Sequence, residues 1–122
     1  MEFFRCNHCG QIIGKVKDKN VPIICCGEAM SKIEANTTDA AMEKHVPVVE
    51  VKGNIVEVMV GSTAHPMLEE HFIEWVALET KTGNQRKKLN PGDEPKVSFA
   101  IVDGDEVLNV YAYCNLHSLW KN

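Results

Sequence analysis

Val48-Val49-Glu50-Val51-Lys52-Gly53-Asn54-Ile55-Val56-Glu57-Val58-Met59-Val60 reads as two short β-branched strands joined by a two-residue turn. Gly-Asn between such runs is a tight hairpin signal, because glycine accepts the positive φ that hairpin turns require. The pattern recurs downstream. Phe72–Thr80 and Gln85–Leu89 flank Thr82-Gly83-Asn84, and Lys96–Val102 and Val107–Tyr113 flank Asp103-Gly104-Asp105. Three successive hairpins predict a mainly β fold, an antiparallel sandwich. Asn90-Pro91-Gly92-Asp93-Glu94-Pro95 is a turn-rich connector.

Upstream of the first strand the character changes. Residues 35–44 read as a linker with one helical turn, for which Thr38 or Asp39 is the expected cap. Residues 1–34 form a separate unit built on Cys6-Asn7-His8-Cys9-Gly10 and Cys25-Cys26-Gly27. So short a stretch cannot bury enough apolar surface to hold itself together, and a metal would supply the missing stability. The expected organisation is therefore a metal-binding domain over 1–34 and a sandwich domain over 35–122.

Composition narrows the function. The 122 residues are 44% hydrophobic and 25% charged, ordinary for a globular chain. Thirteen basic against seventeen acidic residues give a net charge of −4, which argues against a nucleic-acid partner. No apolar run reaches the roughly 18 residues of a membrane helix, so no membrane partner is expected. The first residues show no charged region followed by an apolar one, so no signal peptide is read. Clustered thiols without a leader suit a reducing compartment, the cytoplasm.

Four of the five cysteines, Cys6, Cys9, Cys25 and Cys26, lie within the first 26 residues. Four thiolates in so compact a span predict a tetrahedral metal site, with iron and zinc both suitable. The adjacent pair Cys25-Cys26 must splay to reach one ion, so distortion is expected. His8 reads as a solvated loop residue. The other four His (His45, His65, His71 and His117) and Cys114 lie outside this segment. All five fall at strand ends or in loops, where a rigid sandwich presents functional groups. Two separate ligand sets suggest two metal sites of different chemistry.

Glu43-Lys44-His45-Val46-Pro47, Gly61-Ser62-Thr63-Ala64-His65-Pro66-Met67, His71-Phe72-Ile73-Glu74-Trp75 and Cys114-Asn115-Leu116-His117-Ser118-Leu119-Trp120 closely resemble the superoxide reductases. The N-terminal Cys unit resembles that of desulfoferrodoxin, the two-iron form of that family. The resemblance implies a small desulforedoxin-like (rubredoxin-type) domain followed by an immunoglobulin-like β-sandwich. It implies one iron at Cys6, Cys9, Cys25 and Cys26. It implies a second, cycling between Fe(2+) and Fe(3+), with His45, His65, His71 and His117 as equatorial ligands and Cys114 as the axial one. Glu43 would bind the sixth position in the oxidised resting state, and Lys44 would lie beside it. The implied reaction is one-electron reduction of superoxide to hydrogen peroxide, fed by a rubredoxin-like donor, in a homodimer.

Two other readings compete: a non-catalytic iron electron carrier, and a zinc-stabilised binding module whose His are incidental. Five donors argue against both, since structural zinc closes at four. Phe72, Trp75, Met67 and Trp120 read as packing around the site, and Lys87 and Lys88 as a solvated face that could dock an acidic donor.

Overall fold

The computed structural model describes all of Met1–Asn122, and the chain divides into two compact units, Met1–Glu34 and Ala35–Asn122. In the first, β1 (Glu2–Arg5) pairs antiparallel with β2 (Ile12–Lys15) and with β5 (Ser31–Lys32). A second ribbon pairs β3 (Ile24–Cys25) with β4 (Glu28–Ala29). Only Phe3, Cys6 and Met30 of this unit are buried apolar residues, so its core is minimal. Cys6–Cys9 follow β1 directly, Cys25 ends β3, and Cys26 opens the β3–β4 turn, where Cys26 and Gly27 have φ of +54° and +78°. Positive φ at both central residues is the I′ pattern that matches strand twist.

The second unit starts with a short helix, α1 (Met42–His45), and two sheets follow. Neither Thr38 nor Asp39 caps α1: the N-cap is Ala41, with no side-chain bond, and its carbonyl accepts from Lys44 N (3.2 Å). One sheet has the order β10-β7-β6, from β6 (Pro47–Lys52), β7 (Ile55–Val60) and β10 (Lys96–Ala100). The other runs β12-β11-β8-β9, from β8 (Ile73–Thr80), β9 (Asn84–Lys88), β11 (Val107–Cys114) and β12 (Ser118–Lys121). The mainly β antiparallel sandwich is thus present. Val56, Val58 and Val60 alternate inward on β7 and meet Val97, Phe99, Val76, Leu78, Val110 and Ala112. Each such Val, Leu or Phe side chain contributes roughly 1.5–3 kcal/mol by leaving water.

The first two predicted hairpins form, with registers Lys52↔Ile55 and Glu79↔Asn84. The third does not. β10 pairs with β7 and β11 with β8, so Asp103-Gly104-Asp105 crosses between sheets. Side chains clip this crossover at both ends: Asn54 Nδ2 donates to Asp103 Oδ1 (2.8 Å), and Thr82 Oγ1 to Asp105 Oδ2 (2.9 Å). The sequence gives no sign of the final strand, β12, because four residues carry too little period to be recognised.

Candidate metal centres

In the first unit the four cysteines are free thiols that converge. Cys9 Sγ lies 3.6 Å from Cys25 Sγ, and Cys25 Sγ lies 4.0 Å from Cys26 Sγ. A tetrahedron with metal–sulfur bonds of about 2.3 Å has edges of about 3.8 Å, so these separations suit one ion. The left-handed turn at Cys26-Gly27 is what lets neighbouring cysteines point the same way. The backbone N–H groups of His8 and Cys9 both point at Cys6 Sγ, each at 3.4 Å. Those two amides hold the Cys6 thiol down at about 6, whereas hydrogen bonding with Cys6 and Cys9 pushes Cys25 up to about 12. Without an ion, Cys6 is the thiol that gives up its proton and Cys25 keeps its own. His8 is exposed.

In the second unit one end of the sandwich gathers the remaining donors. His45 ends α1 just before β6, and His65 lies in the loop after β7, closed by His65 N donating to Val60 O (2.8 Å). His71 precedes β8, Cys114 ends β11, and His117 occupies the turn into β12. Since Pro47 pairs with Val60 and Cys114 with Ile73, all these strand ends face the same way.

Ring orientation is set by the backbone. His45 Nδ1 lies 2.7 Å from Ala41 O, and His65 Nδ1 lies 2.7 Å from Pro66 O. A carbonyl can only accept, so each Nδ1 carries the hydrogen and each Nε2 presents a lone pair. These two Nε2 atoms face each other at 3.2 Å. Burial lowers His65 to about 4 and holds His45 and His71 below the ordinary imidazole range, so the rings are neutral near pH 7. Two opposed lone pairs repel unless a cation lies between them. His117 Nδ1 is 3.1 Å from His45 Nε2 and 3.9 Å from Cys114 Sγ. His71 Nε2 is buried with no hydrogen-bond partner. Cys114 is fully buried, and burial pushes its thiol up while the N–H groups of Leu116 and His117 pull it down. Facing lone pairs, an orphaned buried nitrogen and a buried thiol are the donor set of a transition-metal ion, so these residues fit one.

Further residues hold the donors in place, and the sequence did not single them out for that role. Asn115 Oδ1 accepts from Phe72 N (2.9 Å) and Asn115 Nδ2 donates to Glu70 O (3.0 Å), tying the Cys114–His117 turn to the His71 segment. An asparagine between two ligands was the available signal. Trp120 stacks on His45 at 4.7 Å and donates from Nε1 to His117 O (2.9 Å), so it orients two ligands rather than only filling space. Gly61 lies so close to α1 that a Cβ there would be 2.6 Å from Glu43 O. Glu43 and Lys44 are exposed on α1, immediately before His45.

Comparison with known proteins agrees with this arrangement. The desulfoferrodoxin family model matches residues 37–122. The chain belongs to the desulfoferrodoxin family. It is 44% identical to the desulfoferrodoxin homolog of Archaeoglobus fulgidus, over 100% of this chain and 96% of that one. It is 43% identical to the desulfoferrodoxin of Syntrophotalea carbinolica, over 100% of this chain and 95% of that one. The crystal structure of the superoxide reductase from Treponema pallidum superposes with a TM-score of 0.85 at 42% identity, covering 99% of this chain and 97% of that one. The superoxide reductase (1Fe-SOR) from Giardia intestinalis covers only 66% of this chain, at a TM-score of 0.56 and 38% identity. The structural neighbours of this desulfoferrodoxin-family chain are thus superoxide reductases. No helix is long and apolar enough to cross a membrane.

Proposed function

We propose that the protein is a superoxide reductase: superoxide gains one electron and two protons at the four-His, one-Cys site and leaves as hydrogen peroxide. The observation that carries this reading is the pair of opposed imidazole lone pairs beside an orphaned His71 Nε2 and the Cys114 thiol. His45, His65, His71, His117 and Cys114 would hold iron, which when bound supplies the one-electron chemistry between Fe(2+) and Fe(3+). Neutral rings and a single thiolate around a divalent ion leave net positive charge, which attracts an anionic substrate although the chain is acidic overall. Lys44 adds a positive charge whose field reaches His71. It draws superoxide in. Glu43 would bind in the resting oxidised state. Amide hydrogens of Leu116 and His117 temper the electron donation of Cys114.

Cys6, Cys9, Cys25 and Cys26 would hold a second iron, with zinc the alternative, that either relays electrons or stabilises the dimer, and a rubredoxin-like donor would supply the electrons. The chain would work as a cytoplasmic homodimer, with 1–34 as the desulforedoxin-like domain and 35–122 as the reacting one. Metal analysis with pulse radiolysis of the reduced protein tests this. Iron at the second site and oxidation by one equivalent of superoxide are expected; a colourless, all-zinc protein inert to superoxide would overturn it. Lys44→Ala should slow superoxide capture roughly threefold to tenfold at low salt and flatten its salt dependence.

A further inference from the structure

On β9 side chains alternate between two tasks. Gln85 Nε2 donates to Ala100 O (2.7 Å), and Lys87 Nζ donates to Ser98 O while lying 5.6 Å from the Phe99 ring. These two latch the edge of one sheet to the other, so Lys87 is not the free surface cation its position suggested. Arg86 and Lys88 point the other way, where with Phe72, Glu74 and Trp75 they line a cleft of about 380 Å³. Every residue of β9 is exposed, and neither Arg86 nor Lys88 makes an ion pair. Two unpaired cations beside two aromatic rings, on a chain with net charge −4, form a local patch of the opposite sign. Glu74, half-buried, is the one acid in the lining.

The cleft also has a direct structural link to the metal site. Lys88 pairs with Trp75, and Trp75 pairs with Tyr113. The Trp75 and Tyr113 rings stack at 5.4 Å with planes 5° apart, and Tyr113 is joined by one peptide bond to Cys114. Phe72 follows His71, and its N–H is held by Asn115. A molecule seated in the cleft therefore lies against the thiolate side of the site through packed aromatic rings and one covalent step.

We propose that this cleft is the docking surface for a small acidic one-electron carrier protein. The inference rests on the superoxide reductase reading and adds the face by which the reductant is received. One electron leaves the carrier, which is oxidised, and is taken up at the four-His, one-Cys site, which is reduced; no bond is made or broken and no proton moves. Rim charges act chiefly on association and its salt dependence.

The test uses the iron-loaded protein and an acidic rubredoxin as probe. Calorimetric titration with oxidised rubredoxin at low salt should show the Kd of Arg86→Glu/Lys88→Glu weakened about tenfold or more, with a shallower salt dependence. Glu74→Gln should tighten it. Stopped-flow reduction by reduced rubredoxin should fall by the same factor in the double variant. Reduction by ascorbate and oxidation of the reduced protein by superoxide should stay at the wild-type rate. Rubredoxin binding unaffected by the double charge reversal overturns the docking surface. So does a double variant whose only change is in the association of copies of this chain, read by sedimentation. If wild type fails to react with superoxide while rubredoxin binds as described, the parent reading fails and the surface stands.

Discussion

At the scale of single residues, the second site depends on groups outside its set of donors. The Asn115 side chain makes both of its bonds to backbone, spanning the His71 and Cys114–His117 segments. Asn115→Ala should cost about 2 kcal/mol, through the unpaired groups it leaves, and weaken metal binding roughly tenfold. Denaturant unfolding and competitive chelation check the two numbers separately. The protonation of His65 carries a second prediction. Its pKa falls from 6.5 in the unfolded chain to about 4 in the fold. Above pH 6.5 neither state binds the proton; between 6.5 and 4 only the unfolded chain does. Stability of the metal-free protein should therefore drop as pH falls through that window, by up to roughly 1.4 kcal/mol per unit. His65→Gln should remove that share of the slope in unfolding curves between pH 7 and 5. The converging donors were readable as residue types at loop positions. Asn115, Ala41 O and Pro66 O as their supports were not, because main-chain carbonyls carry no signature in sequence.

At the scale of elements, α1 is held by the loop after β7. Thr63 N donates to Glu43 O (2.9 Å), Ser62 Oγ donates to the same oxygen (3.2 Å), and Gly61 packs beneath. A methyl group on Gly61 would meet Glu43 O at 2.6 Å and Lys44 C at 2.9 Å, both backbone atoms that cannot swing aside. Gly61→Ala should destabilise the unit by about 2 kcal/mol and displace His45, lowering iron occupancy of the second site while the first keeps its spectrum. Metal stoichiometry with denaturant unfolding measures both. Hairpin turns at Gly53-Asn54 and Gly83-Asn84 were legible because short turns impose local rules. The Asp103–Asp105 segment obeys the same local rules yet bridges two sheets. Its partners, Asn54 and Thr82, are distant in sequence, so nothing local distinguishes a crossover from a hairpin.

At the scale of the whole molecule, the two ligand sets belong to different units and share no residue. Cys9→Ser should therefore empty the first centre and leave the second able to take iron and react with superoxide. The first unit buries so little apolar surface that loss of its ion should unfold it. Metal analysis, visible spectra and amide exchange over residues 1–34 would show this. Loss of iron from both centres would mean that the units depend on one another.

Residue type and spacing by themselves established a β-rich chain, a four-thiol cluster near one terminus and a second stock of imidazoles and one thiol in loops. Those are local properties, written in strand periodicity, turn chemistry and the clustering of cysteines. Only the folded chain decided that four imidazole rings and Cys114 face a common point, which nitrogen each of His45 and His65 turns inward, and that Arg86 and Lys88 share a face with Trp75 while Lys87 does not. Convergence depends on strands far apart in sequence ending at the same edge of the sandwich, and long-range packing of that kind leaves no local trace.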